Sequence, residues 1–106
     1  MQDISAKLKI FKALSDENRI KILEHIQNAA AQQACESADC SPEDVCVTNM
    51  ADALGITAAT ASHHIKELVN AGLISTTKKG RWVYCQINHD VLSQTADFLN
   101  QIKEKP

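Results

Sequence analysis

The stretch Met50-Ala51-Asp52-Ala53-Leu54-Gly55-Ile56-Thr57 decides the fold of this chain. Two helices that cross steeply need a small residue where they touch, and Ala51 meets that need. The tight turn between them needs a residue that tolerates a positive φ, and Gly55 does so. Thr57 can cap a second helix that runs to about Asn70. The stretch therefore predicts a helix-turn-helix unit.

Two further helices are expected before this unit. Leu8, Phe11 and Leu14 recur at helical spacing, and Ser15 or Asp16 can then cap the next helix. The apolar residues expected to be buried on that next helix are Ile20, Ile22, Leu23 and Ile26.

The first helix of the unit has two possible starts. It begins at about Pro42, with Ser41 as its cap, or at Val47, and it ends at Leu54. The residues expected on the inner face of the second helix of the unit are Ala61, Ile65, Leu68 and Val69.

A hairpin and a last helix follow the unit. Ile74–Thr77 and Trp82–Ile87 are rich in β-branched and aromatic residues and flank a basic, glycine-containing turn at residues 78–81. The apolar stripe of the last helix consists of Val91, Leu92, Thr95, Phe98, Leu99 and Ile102. The fold class is mainly α with a small β-hairpin wing: a winged helix-turn-helix of order ααααββα, with residues 1–106 as a single domain.

Composition points to the compartment and to the kind of partner. No apolar run approaches the ~20 residues of a membrane span, and residues 1–4 lack the pattern of a signal peptide, so we expect a cytoplasmic chain with no membrane partner. The net charge is −2. However, residues 32–56 contain no Lys or Arg, whereas residues 57–81 contain four basic residues against Glu67. This second region can attract phosphates although the whole chain is acidic.

The second helix of the unit and the hairpin tip supply the candidate DNA contacts. The amino end of that helix would enter the major groove, where Thr60, Ser62 and His63 can hydrogen-bond to base edges. Thr57 and the amide hydrogens of the first turn can hold a phosphate. Cations at the hairpin tip can contact further phosphates or a minor groove. The full predicted set is Thr57, Ala58, Ala59, Thr60, Ser62, His63, Lys66, Lys78, Lys79 and Arg81.

Four stretches resemble the ArsR/SmtB family of winged-helix repressors: Phe11–Leu23, Ala61–Leu68, Ala71–Ile74 and Lys79–Tyr84. The resemblance implies a homodimer that binds a palindromic double-stranded DNA operator and releases it when an inducer binds. It also implies a dimer interface between the first and last helices, which here falls on Leu8, Phe11, Leu92, Leu99 and Ile102. At Ala58-Ala59 many members carry a polar pair, so base contacts there are limited to thymine methyl groups.

Three cysteines lie ahead of the helix-turn-helix unit. Cys35, Cys40 and Cys46 belong to a segment without His, and a loop can fold three thiolates onto one soft ion. In the family that the chain resembles, one inducer site is a Cys-x-Cys pair at the start of the helix before the recognition helix. Cys46 matches its first member, and Thr48 replaces the second. We therefore predict a metal site formed by the three cysteines.

The identity of the inducer stays open at the level of sequence. Three thiolates without His favour trivalent arsenic or antimony, with cadmium, lead and zinc as alternatives and no permanent cofactor. A thiol-redox or persulfide switch is a second interpretation, and incidental exposed thiols are a third. Cys85 is expected to be a packed core thiol, with a role as fourth ligand as the alternative.

Other classes of protein are disfavoured. The chain has no Cys-x-x-Cys, no Gly-rich phosphate loop and no plausible Ser/His/Asp arrangement, so we do not expect an enzyme. Lys78, Lys79 and Arg81 argue against a winged-helix module that has lost DNA binding. Adjacent His63 and His64 point about 100° apart on a helix and cannot easily share a metal, so His63 is expected at the DNA and His64 in partial packing.

Overall fold

The computed structural model describes residues 3–32 and 45–104, and within these ranges it contains five helices and three strands. In chain order they are α1 (Ile4–Leu14), α2 (Glu17–Gln32), β1 (Val45–Cys46), α3 (Val47–Leu54), α4 (Ala58–Asn70), β2 (Ile74–Lys79), β3 (Trp82–Ile87) and α5 (His89–Glu104). The predicted succession of four helices, a hairpin and a last helix is confirmed. No helix in the described part of the chain is long and apolar enough to cross a membrane.

The junction between α1 and α2 is fixed by Asp16, one of the two predicted caps. Its Oδ1 accepts the backbone N–H of Asn18 at 2.9 Å and that of Arg19 at 3.3 Å. These two donors have no partner within the helix, so the carboxylate satisfies them and holds the first turn of α2.

Strand β1 was not expected, and it decides where α3 begins. Val45 pairs with Cys85 and Cys46 with Tyr84, in an antiparallel ladder that gives the sheet the order β1-β3-β2. Residues in a strand cannot also continue a helix, so the start at Pro42 is wrong and the start at Val47 is confirmed. Ser41 and Pro42 themselves lie outside the described residues.

The hairpin is longer and its turn tighter than predicted. β2 continues through Lys78 to Lys79, which pairs with Trp82, so the loop contains only Gly80 and Arg81. Gly80 has a φ of 61°, a conformation that costs glycine least among the amino acids. Lys78 and Lys79 are therefore strand residues, whose side chains point to opposite faces of the hairpin.

The core lies between α1, α2, α3, α4 and the hairpin. Its buried residues are Ile10, Ala13, Ile22, Ile26, Met50, Ile65, Leu68, Leu73, Ile74 and Cys85. Two residues predicted on inner faces are exposed, namely Ile20 at 38% and Val69 at 36%. Ile20 is about 200° around α2 from Ile22, and Val69 is about 100° around α4 from Leu68, so neither shares the buried face of its neighbour.

Candidate nucleic-acid interface

The turn between α3 and α4 has the geometry that its sequence predicts. The N–H of Gly55 donates to the carbonyl of Asp52 at 3.2 Å, and the N–H of Ile56 donates to that of Ala51 at 3.1 Å. Gly55 has a φ of 69°, and the pair of bonds is a Schellman motif. Ala51 is buried, as expected of a residue at a close helix contact.

The amino end of α4 is closed by Thr57. Its Oγ1 accepts the backbone N–H of Thr60 at 3.1 Å and donates to the Thr60 hydroxyl at 2.9 Å. Since Thr60 is the acceptor in the second bond, its own hydroxyl hydrogen stays available to a base edge. The Thr57 hydroxyl is thus engaged in the cap of α4, where it both donates and accepts a hydrogen bond within the first turn.

One face of α4 carries all the DNA-contact candidates predicted on that helix. Ala61, His64, Ile65 and Leu68 are buried on the opposite side. The candidates that remain exposed together are Ala58, Ala59, Thr60, Ser62, His63 and Lys66. The fold therefore presents an uninterrupted polar and small-residue surface along the first two and a half turns of the helix.

Two of the three cations at the hairpin tip, Lys79 and Arg81, lie against aromatic rings. Lys78 and Arg81 are exposed, and the Arg81 guanidinium lies 4.9 Å from the centre of the Trp82 ring. Lys79 is half-buried, with its Nζ 5.7 Å from the centre of the Tyr84 ring. Cation–π contacts of this kind restrict the side chains without neutralising them. The tip therefore presents positive charge in a limited set of positions.

A groove of about 460 Å³ separates α4 from the hairpin. Ser62 and Lys66 line it from the helix, Arg81 and Trp82 from the hairpin, and Thr48 from the start of α3. The groove connects the exposed face of α4 with the basic tip of the hairpin, so the two sets of predicted contacts form one continuous surface.

A polar contact behind α4, which the sequence pattern did not reveal, orients the helix. The Arg19 Nε–H donates to His64 Nδ1 at 3.2 Å, and Asp16 Oδ1 lies 3.9 Å from the same nitrogen. Partial desolvation raises the pKa of Asp16, but hydrogen bonds from the Arg19 and Asn18 amides, with the charges of His64 and Arg19, bring it below its ordinary value.

Two cysteines lie within the described residues, and both are buried. Cys46 is buried and precedes α3 as its N-terminal cap residue, without a side-chain hydrogen bond to the helix. Cys35 and Cys40 lie outside the described residues. Cys85 is fully buried, and burial, followed by the nearby Cys46, raises its pKa to about 12. Its prediction as a core thiol is confirmed.

Cys85 lies near Cys46 but is not its partner in the sheet. Cys46 lies opposite Tyr84, and neighbours on a strand point to opposite faces of the sheet. Within the described residues, no group of three or more His, Cys, Asp or Glu side chains is placed to hold a metal ion. Of the three predicted ligands, Cys46 is the one within the described residues, and it lies directly before α3 at the start of the helix-turn-helix unit.

An apolar surface lies on α1 and α5, where the dimer interface was predicted. Leu8, Leu99 and Ile102 are at least half exposed, and Phe11 is 36% exposed with its ring 6.4 Å from that of Phe98. Leu92 differs because it is half-buried and packs on the core of its own chain.

Comparison with known proteins gives the family. A helix-turn-helix domain family matches residues 14–77. The HTH-type transcriptional regulator YbzH of Bacillus subtilis is 34% identical over 93 residues, which cover 87% of this chain and 93% of that protein. An arsenical resistance operon repressor of Staphylococcus aureus is 30% identical over 93 residues, which cover 88% of this chain and 76% of that protein. The chain belongs to the ArsR family of helix-turn-helix transcriptional regulators.

Other ArsR-family relatives extend the comparison. A homologue of the cadmium resistance regulatory protein CadC from Staphylococcus aureus is 34% identical over 88% of this chain and 68% of its own length. The structure of an ArsR-like transcriptional regulator from Rhodococcus sp. RHA1 superposes with a TM-score of 0.72 at 25% identity, over 93% of this chain and 80% of that one. A homodimeric winged helix-turn-helix domain from Mycobacterium bovis superposes with a TM-score of 0.65 at 22% identity, over 95% of this chain and 82% of that one. The fold and the relatives are those of DNA-binding transcriptional regulators, not of enzymes.

Proposed function

We propose that this ArsR-family protein is a homodimeric repressor that binds a palindromic operator and releases it when a thiophilic metalloid or metal binds its cysteines. DNA contacts come from the exposed face of α4 and from the hairpin tip. The complete contact set is Thr57, Ala58, Ala59, Thr60, Ser62, His63, Lys66, Lys78, Lys79 and Arg81. Arsenite or antimonite is the favoured inducer.

The observation that carries the DNA-binding proposal is the continuity of this surface. An exposed helix face with hydroxyl and imidazole groups leads across one groove to Lys78 and Arg81. Base edges need hydrogen-bonding groups on a helix, and phosphates need cations beside it. A homodimer would present this surface twice. The distance between the two copies of α4 must then match that between successive major grooves, which is about 34 Å. The proposed dimer contact on α1 and α5 consists of the exposed Leu8, Phe11, Leu99 and Ile102 and the half-buried Leu92.

Salt dependence tests this proposal directly. We expect Lys78→Gln to weaken binding to the protein's own promoter fragment and to lower the slope of log K against log salt by about 0.9 per contact, hence about 1.8 per dimer. Lys21→Gln is the control, because Lys21 is an exposed lysine of α2 outside the proposed contact set, where it pairs with Glu17 at 3.5 Å. If the wild-type protein has no affinity for this DNA at low salt, the repressor proposal fails.

The sensing proposal rests on the place of Cys46. It is the residue before α3, and α3 leads through Gly55 into α4. A trivalent arsenic atom held by Cys46 with Cys35 and Cys40 would therefore act at the base of the DNA-reading unit. Curated relatives named for cadmium and arsenical resistance support a thiophilic inducer of this chemical class.

A titration of the reduced protein on operator DNA separates the inducers. Arsenite is expected to release DNA from the wild type, and Cys46→Ser is expected to bind DNA but resist release. Cys85→Ala is the matched cysteine control and should still respond, because Cys85 belongs to the core. Release by arsenite from the Cys35/Cys40/Cys46 triple serine variant would overturn the site. Release by a persulfide donor but not by arsenite would instead support the thiol-switch alternative.

A further inference from the structure

A pocket of about 570 Å³ lies between α2, the end of β3 and the start of α5. Small-molecule sites in proteins have volumes of about 300–1,000 Å³, so this pocket has the size of such a site. Its described lining residues include no cysteine and none of the proposed DNA contacts, so it is separate from both sites proposed above. Most of the lining is branched aliphatic, namely Ile20, Leu23, Ile26, Ile87 and Leu92.

The chain itself covers this apolar lining only in part. Ile26 is buried in the core, but Leu23 is half-buried and Ile20 is 38% exposed. Ile20 is the residue of α2 that the sequence pattern placed in the core, and it borders the pocket instead. Because the removal of apolar surface from water is favourable, an apolar molecule of matching size would gain free energy by entering.

Glu24 gives the pocket its charge. Among the described lining residues it is the one acidic residue, and no Lys or Arg accompanies it. Glu24 is exposed and has no ion pair within the described ranges, whereas Lys21, one turn earlier on α2, pairs with Glu17 at 3.5 Å. A carboxylate at the pocket attracts a cation that enters beside it and repels an anion. The charge therefore selects among apolar molecules of the same size.

Size, lining and charge together define the ligand. We propose that this pocket binds an apolar organic cation, that is, an ammonium or phosphonium ion with aromatic or alkyl groups. Its apolar groups would lie against the aliphatic lining, and its positive centre would lie near the exposed carboxylate of Glu24, which keeps part of its hydration. The proposal goes beyond the proposed function, because a metalloid held by thiolates and an organic cation share no binding chemistry.

The elements around the pocket connect it to both proposed functional surfaces. Ile87 ends β3, the strand that begins with Trp82 at the hairpin tip. Leu92 belongs to α5 and to the proposed dimer contact. A bound cation would therefore touch the hairpin and the dimer helix at once, and this is the placement that a second effector site requires.

Two ions of the same shape and opposite charge test the site, namely tetraphenylphosphonium and tetraphenylborate. Binding to the reduced full chain is measured by equilibrium dialysis in sodium buffer, without DNA. Tetraphenylphosphonium is expected to bind saturably with a Kd below about 1 mM. Glu24→Gln is expected to weaken this binding about threefold and to strengthen tetraphenylborate binding by a similar factor. Glu17→Gln removes the same charge from α2 outside the lining and should change either affinity by less than about 1.5-fold.

A second pair of variants adds charge instead of removing it. Gln27 lines the pocket, and Gln27→Glu places another carboxylate there with little change of shape. It is expected to tighten tetraphenylphosphonium binding about threefold and to weaken tetraphenylborate binding. Asn28→Asp is the matched control, because Asn28 is the next residue of α2, is exposed and does not line the pocket. Opposite changes for the two ions cannot come from a loss of folding, which would weaken both.

The proposal is overturned if tetraphenylphosphonium does not bind saturably below about 1 mM, as would happen if a second copy of the chain covered the pocket. It is also overturned if the two ions respond alike to Glu24→Gln. Because the assay contains neither operator nor thiol ligand, such a failure leaves the repressor proposal untouched. A wild-type protein that fails to bind operator DNA would overturn the proposed function and leave this site intact.

Discussion

Replacing Gly55 by Ala tests the turn on which the helix-turn-helix depends. Gly55 has a φ of 69°, and an added Cβ would have no heavy atom within 4 Å. The cost is therefore conformational and not steric. An L-residue in the left-handed region costs roughly 1–2 kcal/mol, and the stiffer unfolded chain of the variant returns roughly 0.4–1 kcal/mol of this. We expect Gly55→Ala to lower the free energy of unfolding by about 1 kcal/mol.

The measurement is urea denaturation followed by circular dichroism at a fixed protomer concentration, because the proposed dimerisation would make apparent stability depend on concentration. For a domain of 60–100 residues, about 1 kcal/mol corresponds to a fall in Tm of roughly 4–8 °C. Gly55→Asn is the control, since Asn tolerates this conformation and should lose less. If Gly55→Ala is as stable as the wild type, or Asn is as costly as Ala, the left-handed turn does not limit stability as argued.

Four further results are expected. Thr57→Ala removes the cap of α4 and should cost about 1 kcal/mol in urea denaturation, and no loss would show that the cap bond to Thr60 contributes nothing. Met50→Ala empties a fully buried position and should cost about 2–5 kcal/mol, whereas a loss under 1 kcal/mol would mean that the site collapses. The pKa of Asp16 in the folded chain lies below the unfolded value of 3.8, so its ionised carboxylate stabilises the fold fully above pH 3.8, and this stabilisation is lost as the pH falls through the folded pKa. Asp16→Asn should therefore flatten the acid limb of a curve of unfolding free energy against pH. With a pKa of about 12, Cys85 should resist a thiol-titrating disulfide reagent at pH 8 until urea unfolds the chain, and rapid reaction of this thiol in folded Cys46→Ser protein would contradict its burial.

Local chemistry made the helix ends and turns predictable. Gly55, Thr57 and Asp16 each act within a few residues of their own position, through a positive φ or a hydrogen bond to the next turn. Sequence carries such information directly, because the donor, the acceptor and the backbone strain are close along the chain. The face of α4 that is proposed to read DNA follows from the same rule, since the buried residues of that helix define which residues remain outside.

Long-range pairing accounts for what the sequence did not reveal. β1 exists because Cys46 meets Tyr84 on β3, and two residues are too few to show strand periodicity. The hydrogen bond from Arg19 to His64 joins residues 45 positions apart, and no local sequence pattern around either residue indicates that they pair. The groove likewise needs α3, α4 and the hairpin in place before Thr48, Thr76 and Trp82 become neighbours.

These long-range contacts give the proposed sensor a short physical route to DNA. Cys46 pairs with Tyr84 on the strand that carries Trp82, and the next residue, Val47, begins α3 and lines the groove. Under the proposed function, a ligand that displaces Cys46 would move the start of α3 against β3 and would so act on both sides of the groove. Under the proposed function, release of the operator then needs only a change in the distance between hairpin and helix within one protomer. A rotation at the dimer interface would add to that change but is not required for it.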